Sequence, residues 1–291
     1  AALPGAQARC GNAMTETLGI IAGGGELPRA VAQSARAAGR EVFVVALAGS
    51  LTEDWVQAYP HLFLSVGEPG RAIKALSGAG AQDILMIGQL ERPKFSDLKL
   101  DAKGVMALPR VVAAAAKGEV ALLRVIGERG VHEGFRVIGA RDAAPGLLVG
   151  EGAVGRIRPR PEHQADIALG FAIVRQLGAL DVGQAAVVCD GLALSVEAAE
   201  GTDAMMARVN GLREHLRGTP EKRRGVLVKA PKPIQDRKTD LPVVGLRTVR
   251  NAGAIGVAGI ALEAGGALIL EREAVAEAAD ALGMFVTGVR P

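Results

Sequence analysis

Short apolar runs alternate with amphipathic stretches through the first half of the chain. LGIIA (18–22), EVFVVAL (41–47), HLFLSV (61–66), DILMIG (83–88) and FRVIGA (135–140) hold few polar positions and many β-branched or aromatic ones. Each reads as a strand, and apolar residues on both faces are the mark of a parallel sheet covered by helices. Between them, Leu27 to Ala38 has helical spacing with Gly39 as its stop, and a helix is predicted around Arg71 to Leu76. Two further helical stretches are predicted at about 105–117 and 119–130. A loop, QLERPKFSDLKLD (89–101), leaves the C-terminal end of the fourth strand.

Glycine, proline and charge gather at 140–161 and mark a domain junction. Beyond it the pattern predicts a helix from Pro161 to Leu177. AAVVCD (185–190) and LALSVEA (192–198) form a hairpin about Gly191, and a helix follows from Asp203 to Leu216. GVLVKA (225–230), LPVVGLRTV (241–249), GVAGIAL (256–262), ALILE (267–271) and MFVTGV (284–289) read as strands, with a helix from Glu273 to Leu282. The expected fold class is α/β: an N-terminal Rossmann-like parallel-sheet domain (14–145) and a mixed α/β C-terminal domain (153–291). Residues 1–13 read as an extension.

Composition narrows the function classes. A chain of 291 residues, 49% hydrophobic, fits two globular domains at roughly 100–200 residues each. Cys10 and Cys189 are the only cysteines, so a disulfide framework is excluded and a reducing cytoplasm fits best. His61, His132, His163 and His215 stand apart from one another, without metal-ligand spacing. A net charge of +3 and 3% aromatic residues give no support for nucleic acid as a partner. The longest apolar stretch, Ala252 to Leu270, is cut by Glu263 and crowded with glycine, short of the 20 or so mainly apolar residues of a membrane span.

Familiar nucleotide motifs fail. GGGELP (23–28) follows a strand and opens a helix, where free N–H groups meet phosphate. Yet Pro28 stands at the third glycine of GxGxxG, and the second strand ends at Leu47 without a ribose-binding carboxylate. Neither GxxxxGK[ST] nor GxSxG is present.

Charge is more telling. EKRRGVLVKAPKPIQDRKTD (221–240) holds seven Lys/Arg and three Asp/Glu, net +4 against +3 for the whole chain, so everything else nets −1. Such a run is commonly a solvated surface. Here it brackets an apolar strand, and Pro231 and Pro233 stiffen it. The expectation is that Lys229 and Lys232 point toward one place, with Asp236 and Asp240 following. Cations that neutralise phosphate oxygens, beside carboxylates that hold Mg²⁺ or orient water, suit phosphoryl chemistry. In VEAAEGTDAMMARV (196–209), Glu197, Glu200 and Asp203 crowd around Gly201-Thr202. Thr202 and Asp203 read as caps of the next helix, and Glu200 and Asp203 alternatively as oxygen ligands for a hard cation. GQLERP (88–93) places Arg92 just past a parallel strand, and Glu263 needs a partner or a proton if buried. GAIGVAGIALEAGGALIL (253–270) reads as packed core strands or as the lining of an acyl crevice.

LGIIAGGGELP, IGQLERP, LDVGQAAVV, VEAAEGTDAMMAR, KAPKPIQDRKTDLPVVGLRTV and GIALEAGGALILERE follow one another in order. By these segments the chain from Leu18 to Val289 resembles the LpxI family, UDP-2,3-diacylglucosamine pyrophosphatases of lipid A biosynthesis in Gram-negative bacteria. It departs in reading QDRKTDLP for QDxRxDLP, with Lys238 in the Arg register, and in holding Gln89 where Lys is common. The resemblance implies Mg²⁺-dependent hydrolysis of UDP-2,3-diacylglucosamine to UMP and 2,3-diacylglucosamine 1-phosphate (lipid X). Catalytic roles then fall to Asp236, Asp240, Lys229 and Lys232, and metal ligation to Asp236, Asp240, Asp203 and Glu200. Substrate contacts are expected from Gly23, Gly24, Gly25, Gln89, Arg92, Gln184, Gly201, Thr202, Gln235, Arg237, Thr248, Glu263 and Gly265. In this reading Asp236 is first choice to take the water's proton or hold the metal, while Lys229, Lys232 and Arg92 stabilise the separating oxygens. The rival is a non-catalytic protein that binds lipid X or a nucleotide sugar; carboxylates beside the lysine pair favour the enzyme. A cytoplasmic protein, with peripheral contact at the inner membrane and a homodimer both left open, completes the expectation.

Overall fold

The computed structural model describes residues 17–51, 54–89, 99–106, 132–233 and 241–291. Contacts divide the chain into two units. The first takes in Ala35–Leu85 with the described residues up to Gly23 and from 99 to Val137; the second takes in Gly24–Ser34, Met86–Gln89 and Ile138–Pro291.

In the first half β1 (Thr17–Ala22), β2 (Val42–Leu47), β3 (His61–Leu64), β4 (Ala81–Ile87) and β5 (Arg136–Val137) form one sheet in the order β3-β2-β1-β4-β5. The pairs β1/β2, β2/β3 and β4/β5 are parallel, with Leu18 opposite Val42, Val44 opposite His61 and Asp83 opposite Arg136. Helices α1 (Glu26–Ala37) and α2 (Pro69–Gly78) are crossovers. This is the Rossmann-like arrangement expected. Its strand order reverses between β1 and β4, the switch point where open α/β sheets take ligands at strand C-termini. Gly19 in β1 has no room for a side chain: an added Cβ would lie 2.5 Å from Leu76 Cδ2. Asp83, buried in β4, is held by Arg40 (2.8 Å) and by Arg136. The strand expected at 135–140 shrinks to β5, and one helical turn, α3 (Ala140–Ala143), follows. The helices expected at 105–117 and 119–130 lie almost wholly outside the described residues.

The second half contains β6 (Gly152–Ala153), α4 (Pro161–Ala179), β7 (Ala185–Cys189), β8 (Leu192–Val196), α5 (Gly201–Asn210), β9 (Val226–Lys229), β10 (Val243–Val244), α6 (Leu246–Ala254), β11 (Gly259–Glu263), β12 (Leu268–Ile269), α7 (Arg272–Ala281) and β13 (Phe285–Val289). Its main sheet runs β6-β13-β11-β9-β7-β8, with β9, β11 and β13 parallel and the flanking pairs antiparallel; β10 and β12 pair separately. Strand alternation makes two cores. Val226 and Val228 of β9 pack with Ile167, Phe171 and Val174 of α4, while Leu227 packs with Met205, Val249 and Val275 of α5, α6 and α7.

The β7–β8 hairpin turns through Asp190 (φ 49°) and Gly191 (φ 77°), the positive-φ pair that a tight hairpin needs. The buried Asp166 carboxylate accepts both turn N–H groups, at 2.9 and 2.7 Å.

Two expectations are corrected, and of the two readings of 253–270 the packed core is the one observed. LPVVGLRTV is not one strand: after Val243–Val244 the chain turns at Gly245 into α6, whose Leu246, Val249 and Ala252 recur at helical spacing. The helix expected over 203–216 starts at Gly201 and stops at Asn210, with a separate 3₁₀ turn at Glu214–Leu216. The stretch 253–270 fills core, since Ile260, Leu262, Ala267 and Ile269 are all completely buried.

Candidate active site

β9 and β11 run side by side and end together, β9 on Lys229 and β11 on Glu263. Lys229 stands opposite Ala185 on one side and Leu262 on the other. Past the end of β8, the Glu197 N–H still donates to Ala185 O at 2.9 Å. Ala185 and Leu262 belong to the core under α5, so Lys229 and Glu197 lie on that face. The next positions along each strand, Gln184, Ala230 and Glu263, fall on the α4 face.

On the α5 face Lys229 is 5% exposed. Its Nζ donates to Thr202 Oγ1 (3.1 Å) and Val243 O (3.2 Å). Thr202 is the second residue of α5, and Gly201 before it takes φ 80°, a turn that glycine alone makes without strain. An ammonium and a hydroxyl at the start of a ten-residue helix, whose first N–H groups point outward, form a cradle for an oxyanion. Glu200 pairs with Arg208 at 2.8 Å. Asp203 is bound by Arg247 (3.2 Å) and accepts from Asn251 Nδ2 (3.0 Å).

The α4 face holds a different set. Lys232 Nζ pairs with the Asp181 carboxylate at 2.8 Å, beyond the C-terminal end of α4. The two lysines therefore do not converge as expected: they leave the sheet toward different faces. Glu263, 8% exposed, has Arg175 of α4 at 3.8 Å from Oε2. Its carboxylate crowds Gly266, where an added Cβ would lie 3.0 Å from Glu263 Oε1 and 3.0 Å from Pro231 Cδ. Gly265 is a turn residue at φ 68° whose N–H donates to Val149 O. Gln184 Oε1 is enclosed without a hydrogen-bond partner.

At the switch point Gly24 and Gln89 exchange backbone hydrogen bonds of 2.9 and 2.8 Å, so the glycine turn and the end of β4 meet as one feature. Gly23 and Gly25 flank it, Gly25 at φ 92°. Thr248 lies in the first turn of α6, half-buried. Arg92, Gln235, Asp236, Arg237 and Asp240 lie outside the described residues. Among the described residues no group of three or more His, Cys, Asp or Glu side chains is placed to hold a metal ion. Burial, then the Arg160 charge, lowers the pKa of His163, which tilts against Phe285 at 5.1 Å. Burial raises the Cys189 thiol. Neither resembles a ligand or nucleophile.

The LpxI N-terminal domain matches residues 17–147 and the LpxI C-terminal domain matches residues 150–287. The chain belongs to the LpxI family. It is 46% identical to UDP-2,3-diacylglucosamine pyrophosphatase LpxI of Caulobacter vibrioides over 274 residues, 94% of this chain and 98% of that protein.

The structure gives Arg247 and Asn251 a task the sequence did not, since they hold Asp203 in place. Reading 241–249 as a strand hid them; the spacing of Leu246, Val249 and Ala252 was the signal. It also gives Glu197, known from the sequence only as one of an acidic cluster, a face: alternation from Ser195 sets it on the α5 side of β8's edge.

Proposed function

We propose that the chain hydrolyses the pyrophosphate of UDP-2,3-diacylglucosamine to UMP and 2,3-diacylglucosamine 1-phosphate, with Mg²⁺. The reading is carried by the 46% identity to the Caulobacter pyrophosphatase over nearly its whole length. The cradle supports it: Lys229 and Thr202 at the start of α5 suit a phosphate oxygen whose charge grows as the bond breaks. Mg²⁺ would supply charge neutralisation and a more acidic water. Asp236 and Asp240 are the proposed carboxylates, with Asp203 and Glu200, each already paired with an arginine, as further candidates. A diacylated product partitions into lipid, and the proposed place of work is the cytoplasmic face of the inner membrane. No described helix is long and apolar enough to cross a membrane, and the contact is proposed as peripheral.

The test is UMP release from UDP-2,3-diacylglucosamine by the purified chain, with Mg²⁺ and with excess EDTA. Release is expected only with Mg²⁺, and Asp236→Ala is expected to lower kcat by about a hundredfold or more. Full turnover in EDTA removes the metal, wild-type turnover of Asp236→Ala removes that residue, and binding without UMP release supports a non-catalytic carrier.

A further inference from the structure

Glu197 shares the sheet edge with Lys229, and the hydrolysis reading gives it no task. It is 7% exposed, and its Oε2 is enclosed with no hydrogen-bond partner. Enclosed carboxylate oxygens are costly to leave unmatched, and a native protein that keeps one has a use for it. Strand register sets Glu197, Ala185 and Lys229 in one row on the α5 face. Glu197 and Lys229 are thus two strand spacings apart, about 10 Å between backbones. Between them Ala185, completely buried, raises only a methyl group.

The missing partner must give a proton or carry positive charge. A fully ionised phosphate does neither and repels a carboxylate. A magnesium ion takes about six oxygens, while the neighbouring Glu200 and Asp203 are engaged by Arg208 and Arg247; recovery in excess Mg²⁺ is the outcome that would favour the metal. A neutral donor remains. Because Lys229 and Thr202 form an oxyanion cradle beside it, the donor has to sit close to a phosphate on the same molecule. In a glucosamine 1-phosphate the acyl-amide N–H is on the carbon next to the one bearing phosphate. In UMP the nearest hydroxyl is one carbon farther away.

We infer that Glu197 accepts a hydrogen bond from the amide N–H or a ring hydroxyl of the acylated glucosamine and so fixes that sugar beside the phosphate held at Lys229. Glu197 is then a specificity-determining residue for the sugar half of the substrate. The inference rests on the proposed hydrolysis reading and names which end of the substrate lies at this edge.

Lipid X and UMP are titrated separately into the wild type, Glu197→Gln and Glu197→Ala by calorimetry, and UMP release is followed in parallel. Both variants should melt at or above the wild-type temperature, because an enclosed, unmatched carboxylate is gone. The Kd of lipid X should rise about ten- to hundredfold in Glu197→Ala, and less in Glu197→Gln, which keeps an acceptor oxygen. The Kd of UMP should stay unchanged, and the loss in kcat/KM should lie mainly in KM. Equal weakening of UMP, an unchanged lipid X Kd, or recovery in excess Mg²⁺ would overturn the inference. A wild type that binds lipid X but releases no UMP ends the hydrolysis reading alone, and the lipid X titrations still decide Glu197. A wild type that binds neither ends both.

Discussion

Lys229 shows what decides a residue's chemistry here. In the sequence it is one of seven cations in a twenty-residue run; in the fold it is the one that ends a fully buried strand and turns toward the start of α5. Lys232, three residues on, pairs with Asp181 on the other side of the sheet. Replacing Lys229 by Met keeps the buried stem and removes the ammonium. The expected outcome is a loss of about a hundredfold in kcat for UMP release, the scale of one lost transition-state donor, while the same change at Lys232 leaves kcat within about threefold. Equal losses would mean that both ammonium groups reach the substrate. That the two cations belong to the site's sequence neighbourhood was legible from charge alone. That they part company was not, because proline-bounded loops leave the direction of a side chain to its tertiary neighbours.

At the scale of elements, local signals did well where one residue forces the geometry. Gly191 marked the β7–β8 turn, and the turn lies there. Its stability, though, depends on a distant residue: Asp166 of α4 clasps the two turn N–H groups. Asp166→Ala leaves both without that acceptor, and a loss of about 1–3 kcal/mol is expected in chemical denaturation. A change below about 0.5 kcal/mol would show that the turn stands without its clasp. The segment after β10 went the other way. The β-branched residues Val243 and Val244 of β10 and Thr248 and Val249 beyond it look like one continuous strand, yet Gly245 breaks the run and α6 follows. Packing of Val249 and Ala252 into the α5 core settles it, and β propensity is weak beside burial.

Across the whole molecule, buried charge links stability to pH. Burial alone would raise the Asp83 carboxyl; hydrogen bonds and charges from Arg136 and Arg40 outweigh it, and its pKa falls below the ordinary 3.8. A carboxyl with a lowered folded pKa stabilises fully above its unfolded value, and that contribution disappears as pH drops through the folded one. The melting temperature should therefore fall steeply below about pH 4, and Asp83→Asn should lower it at pH 7 while flattening the acid slope. An acid slope identical to wild type would assign the loss to other carboxylates. By itself the sequence determined most of the described strands and helices, the helix Leu246–Ala254 excepted, with the parallel character of the first sheet, the hairpin and the family motifs, because these follow from local periodicity and from turn residues. The tertiary structure alone decided that Gly24 meets Gln89, that Glu263 and Gln184 face α4, and that Glu197 and Lys229 face α5. Those facts depend on strand order and register between segments far apart in the chain, and a one-residue slip in register moves every side chain to the opposite face.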